Sequence, residues 1–187
     1  MGTGTILLII IVVVAVLAIL AYNSLVSLRQ RVKQSFADID VQMKQRHDLI
    51  PNLVETVKGY AAHEKGTLDE VVKARAAAIS APSGSPQQAQ AEQALSGALG
   101  RLIAISEAYP DLKANQNFLE LQQQLSDIEG KIAAARRFYN GAVSEYNAGI
   151  QAFPAVLFAR SFGFSPETFF DLGEERSQVA QAPSVKF

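Results

Sequence analysis

The sequence predicts an all-α protein, with an N-terminal transmembrane helix continuing into a long amphipathic helix of an antiparallel four-helix-type bundle. Three observations carry that expectation. An unbroken run of Ile, Leu, Val and Ala fills positions 6 to 21. Beyond it, two long stretches repeat apolar side chains every three or four residues, the period of a helix face. No stretch alternates polar and apolar residues for long enough to form a strand.

The apolar run comes first. No charged side chain occurs before Arg29. A bilayer core of about 30 Å needs roughly 20 helical residues, and residues 4–26 supply them, with Tyr22 and Asn23 at the level where amphipathic side chains settle. A cleaved signal peptide is the alternative. It is opposed by the missing basic leader and by "LAILAYNS", which offers no small-x-small cleavage context. The expectation is an uncleaved, single-pass anchor. Arg29, Arg31 and Lys33 follow the span, so the positive-inside rule places the rest of the chain in the cytoplasm.

The helical body follows, over residues 27–153. Leu25, Leu28, Val32, Phe36, Ile39, Met43, Arg46, Ile50, Leu53, Val57 and Tyr60 form one nearly heptad seam. A second seam runs through Phe118, Leu121, Leu125, Ile128, Ile132, Ala135, Tyr139, Ala142, Tyr146, Gly149/Ile150 and Phe153. Two shorter helices are expected between them. One covers 66–80, with Thr67 as N-cap. The other covers 86–109, with Pro86 in its first turn. "SAPSGSP" at 80–86 and "YPDLKANQN" at 109–117 are breaks. Pro51 lies inside the first seam, removes a backbone donor and is expected to kink that helix near 47–50, freeing carbonyls around His47 and Asp48.

From Pro154 the character changes. Residues 154–172 are aromatic-rich and are expected to make a short helix ended at Gly163, then a turn at Ser165–Pro166. Phe158, Phe162, Phe164, Phe169 and Phe170 either cap the open end of the bundle or contact a membrane or partner. Residues 173–187 read as a flexible or extended tail.

The chemistry is sparse. A net charge of −1 with no basic stripe argues against nucleic acid as a partner. With no cysteine, thiolate chemistry and thiolate metal sites are excluded. His47 and His63 are 16 residues apart, which is not a metal-ligand spacing on a helix, and His47 and Asp48 point about 100° apart. No glycine-rich phosphate loop is present, so no catalytic residue, cofactor or metal is expected. What remains is a candidate partner or kink surface of His47, Asp48 and Pro51. Asn140 and Asn147, seven residues apart beside Tyr139 and Tyr146, join it as either a register-setting polar rung or a recognition face.

Three blocks carry a resemblance. "YNSLVSLRQRVKQSFADIDVQMKQRHDLIPNLVETVKGYAAHEK", then "EVVKARAAA", then "RRFYNGAVSEYNAGIQAFPAVLFARSFGF" resemble the LemA family of bacterial membrane proteins. The resemblance covers nearly the whole chain after the anchor. It implies an N-terminal membrane helix with an antiparallel helical bundle, in the bacterial inner membrane. It carries over no catalytic residues, because the family has no assigned activity. The family includes a magnetosome-membrane branch, and its genes often lie near membrane proteases of the HtpX type, which implies such a protease as a partner in membrane quality control. Some relatives hold a lipoprotein cysteine where this chain reads "ILAYNS", which implies a bundle outside the cytoplasm and opposes the charge rule. The reading is therefore a membrane-anchored scaffold or adaptor that contacts the lipid bilayer and self-assembles as a homo-oligomer or binds another membrane protein. The alternative is a lipid-binding or membrane-remodelling module that uses the phenylalanines.

Overall fold

A computed structural model describes residues 2–170. The expected tail at 173–187 lies outside the described residues. The described residues are helical with no strand among them, in the order α1 (Thr3–Tyr60), α2 (Lys65–Ser80), α3 (Pro86–Ile105), α4 (Pro110–Lys113) and α5 (Gln116–Gln151). Short 3-10 turns follow at Ala155–Leu157 and Arg160–Phe162. The described residues divide into two compact units, residues 2–39 with 134–169, and residues 40–133 with Phe170. The two long helices each contribute a part to both.

The starts and stops follow local chemistry. Ser85 caps α3, its hydroxyl accepting from the Gln88 N–H at 3.1 Å, and Pro86 takes the first turn where its missing donor costs nothing. Asn115 opens α5 in the same way, accepting from the Phe118 N–H at 2.9 Å. Three expectations are corrected. Helix α2 begins at Lys65 with Glu64 at its N-cap, so Thr67 lies inside the helix and caps nothing. Helix α3 stops at Ile105 and tightens into the 3-10 turn Ser106–Ala108, and Pro110 then starts α4. The segment after Pro154 forms two 3-10 turns in place of one α-helix, the second ended by Gly163 at φ +74°, a conformation that favours glycine.

In residues 40–133 five helical segments share one core, α4 contributing Leu112. Ile50, Leu53 and Val57 of α1 pack with Leu68 and Val71 of α2, Leu95, Leu99 and Leu102 of α3, and Phe118 and Leu125 of α5. These are the seam positions, buried because each seam faces the others. Tyr60, at the end of the first seam, is exposed.

In residues 1–39 and 134–169 the two long helices pair antiparallel. Phe36 meets Tyr139 edge to face at 5.6 Å, Arg31 Nη1 donates to Glu145 Oε2 at 2.6 Å, and Leu25 and Leu28 lie beside Gly149. Partner numbers fall on α1 as they rise on α5. A Cβ at Gly149 would come within 2.8 Å of Leu28 Cδ1, so glycine permits this approach. Beyond Tyr22 toward the N-terminus, α1 is bare: the large apolar residues from Ile6 to Leu20 are 47–63% exposed, and no part of the most apolar window is buried by protein. It is the one helix among the described residues long and apolar enough to cross a membrane.

Candidate functional site

Two places gather the residues singled out in the sequence. The first is an ionic cluster inside residues 40–133. Arg46 occupies a seam position of α1, and the seam buries it to 1% exposure. An isolated guanidinium there would be prohibitively unstable. It is fully engaged at its terminal nitrogens: Nη1 donates to Ser96 Oγ at 2.9 Å and to Glu129 Oε2 at 2.6 Å, and Nη2 donates to Glu92 Oε2. Glu92 of α3 is also 1% exposed, and its second oxygen lies 2.9 Å from His47 Nε2. Burial pushes the Glu92 carboxyl upward, but the close His47 imidazole and the Arg46 charge outweigh it and hold the carboxyl below its ordinary value. Glu129 of α5 extends the cluster outward, with its side chain half exposed.

The backbone of His47 joins the same cluster. Pro51 has no N–H, so the carbonyl four residues earlier, that of His47, loses its helical donor. Arg75 of α2 replaces it, its Nε donating to His47 O at 2.7 Å. The expected kink does not break the helix, and α1 runs through Pro51 as one element from Thr3 to Tyr60. Arg46 and His47, Arg75, Glu92 with Ser96, and Glu129 thus tie together α1, α2, α3 and α5. Asp48 stands on the outer side, where Lys44 donates to it at 2.7 Å and holds its carboxyl below the usual range. A shallow groove beside Asp48 is also lined by Gln45, Asp127 and Lys131. His63 is exposed and takes no part.

The second place lies within residues 1–39 and 134–169. The Asn147 side-chain amide pairs with the backbone of Glu167 on both sides, Nδ2 donating to its carbonyl and Oδ1 accepting from its N–H, each at 2.9 Å. Tyr139 Oη donates to the Thr168 carbonyl at 3.0 Å, and burial pushes its phenol upward. These contacts fasten the segment after Gly163 to α5, so Asn147 bonds the backbone of that segment and not a neighbouring helix. Asn140 is partly buried on the same helix. Phe164 is buried, its ring 5.5 Å from Tyr22 and capped by the Arg29 guanidinium at 4.7 Å. Phe162 also meets Tyr22, at 5.6 Å, and touches the partly buried Phe158 at 5.9 Å. Phe162 and Phe169 are exposed, and Phe170 is partly buried.

Glu92 and Glu129 were missed by sequence reasoning. The signal was present: Gln88, Glu92, Leu95, Leu99 and Leu102 fall on one face of α3, so an acid stands where the period demands an apolar residue. Arg46 makes the matching break in the seam of α1.

Comparison with known proteins decides the family. The model of the LemA family matches residues 35–187. The chain belongs to the LemA family. Its similarity extends to protein LemA of Metamycoplasma hominis, 24% identical with 84% of this chain and 72% of that protein covered. It is also similar to two magnetosome MamQ proteins of Paramagnetospirillum magneticum, each 27% identical, and to magnetosome protein MamQ of Magnetospirillum gryphiswaldense at 26%. Those three alignments take in 81% of this chain and 65% of each MamQ protein, so the LemA chain spans about two thirds of their length. It is a membrane-associated helical protein with bacterial relatives and, among the described residues, one candidate transmembrane helix.

Proposed function

We propose that this LemA protein is a non-catalytic, membrane-anchored scaffold that assembles with itself or with another membrane protein, in a single-pass orientation in the bacterial inner membrane. One observation carries the reading. The ionisable groups that could do chemistry, Arg46, His47, Glu92 and Glu129, are committed to one another across the helices, where they fix packing. Groups arranged this way set register between helices. The MamQ relatives carry the name magnetosome protein, which fits a structural role at a membrane. A membrane protease of the HtpX type is the candidate partner that the family resemblance implies.

Cysteine cross-linking in membranes tests this, since the chain has no native cysteine to interfere. Single cysteines would replace the exposed apolar residues Val41, Ile79 and Phe138 in turn. A self-assembling scaffold yields position-specific cross-linked dimers or cross-links to one discrete partner. Absence of any cross-link at all three positions argues against it.

The second reading, a lipid-binding module, is favoured by the exposed aromatic and aliphatic side chains around residues 153–162.

A further inference from the structure

We infer that residues 153–162 form an interfacial foot, which lies in the headgroup–acyl boundary of the same bilayer that the N-terminal part of α1 crosses. Height along the bilayer normal comes first. The apolar run ends at Ala21, and Tyr22 is the next residue. Phe162 and Phe164 both rest on the Tyr22 ring, at 5.6 and 5.5 Å. The antiparallel pairing of α1 with α5 delivers the end of α5 to Leu25, so the segment beyond it reaches the end of the span. The foot therefore stands at the level where aromatic side chains collect in membrane proteins.

The surface of the foot fits that level. Phe153 is 80% exposed, Leu157 73% and Phe162 62%, and Val156 is also exposed. Four large apolar side chains in ten residues are left uncovered by protein, while Ala155 and Ala159 of the same segment are buried. One face of the two 3-10 turns thus grips the helices and the other is apolar and open. Arg160 is exposed among them and supplies a cation where lipid phosphates lie. An apolar face with a basic residue at its edge is the composition of a segment lying in the interface. Continuity with the bare apolar surface of α1, from Ile6 to Leu20, makes the bilayer its occupant.

The inference rests on the anchor crossing the membrane and is independent of self-assembly. The chain contains no tryptophan, so one introduced indole reports its own surroundings. Full-length protein would be reconstituted in vesicles of phosphatidylcholine and phosphatidylglycerol, with or without bromine on the acyl chains. Phe153→Trp and Leu157→Trp would each report the foot, Leu17→Trp the anchor, and Phe138→Trp the aqueous part of α5. All four positions are exposed and tolerate a larger ring. The expected result is blue-shifted emission and bromolipid quenching at Leu17→Trp, Phe153→Trp and Leu157→Trp, with none at Phe138→Trp. Quenching at Leu17→Trp alone overturns the foot while the anchor stands. Quenching at none of them overturns both. Blue-shifted emission at Phe153→Trp and Leu157→Trp without quenching means that protein covers the face, and also overturns the inference.

Discussion

Arg46 is a long, permanently charged side chain at a position where the helical period calls for an apolar one. It is stable there because Glu92, Glu129 and Ser96 meet its terminal nitrogens within the core. Removing one partner leaves the other charge buried and unpaired, at a cost of about 3–5 kcal/mol, whereas replacing both with apolar residues of similar volume is often close to neutral. Arg46→Met is therefore expected to lower the unfolding midpoint sharply. Arg46→Met with Glu92→Leu recovers most of the loss, as thermal melts in detergent would show. Acid should act through the same site. The Glu92 carboxyl sits below its ordinary value of 4.5 in the folded chain, so its contribution is fully present above that pH and is lost as the pH falls through the lowered value. Glu92→Gln is expected to be less stable at neutral pH, with a shallower decline on acidification.

His47 and Pro51 belong at the same scale. Arg75 bonds the His47 carbonyl because Pro51 cannot. Leaving a buried carbonyl unpaired costs about 1–3 kcal/mol. Arg75→Ala should cost that much in the native chain and distinctly less alongside Pro51→Ala, where a backbone N–H returns to the carbonyl. A double-mutant cycle reads the coupling directly. The sequence made the freed carbonyl legible, because proline always deprives the residue four before it. It did not reveal the donor, because Arg75 lies 28 residues away and reaches His47 only through the packing of α2.

Among the elements, the seams were the most legible feature. Helix periodicity is local, so Ile39, Met43, Ile50, Leu53 and Val57 could be assigned to a buried face before any partner was known. Caps and ends were less so. Thr67 has the right side chain for an N-cap, but α2 starts two residues earlier, at Lys65. The aromatic segment was the least legible, because Phe164 and Phe162 differ in burial through Tyr22, a residue far away in sequence. Element-scale packing has its own critical point at Gly149. A Gly149→Leu side chain would run into Leu28, and overpacking of this kind costs typically 1–3 kcal/mol. Leu28→Ala should relieve it in the double variant, raising the melting temperature back toward that of Leu28→Ala alone.

The whole molecule has an apolar helix that protein leaves bare and a core of helical segments held in register by a paired ionic cluster, and it matches its family over residues 35–187. The N-terminal apolar helix, the all-α class and the family were all readable from sequence, since each depends on composition, period or long motif blocks. The ionic cluster was not, because its members come from four separate helices and two of them looked like ordinary surface acids. Self-assembly is the central claim at this scale. Its most direct test is the protein mass per particle, measured by light scattering on the full chain in nanodiscs wide enough for several copies. The expected result is a defined multiple of the 20.2 kDa chain that persists on dilution. A single 20.2 kDa copy per disc at every loading ratio, with no second membrane protein retained on co-reconstitution, would contradict it.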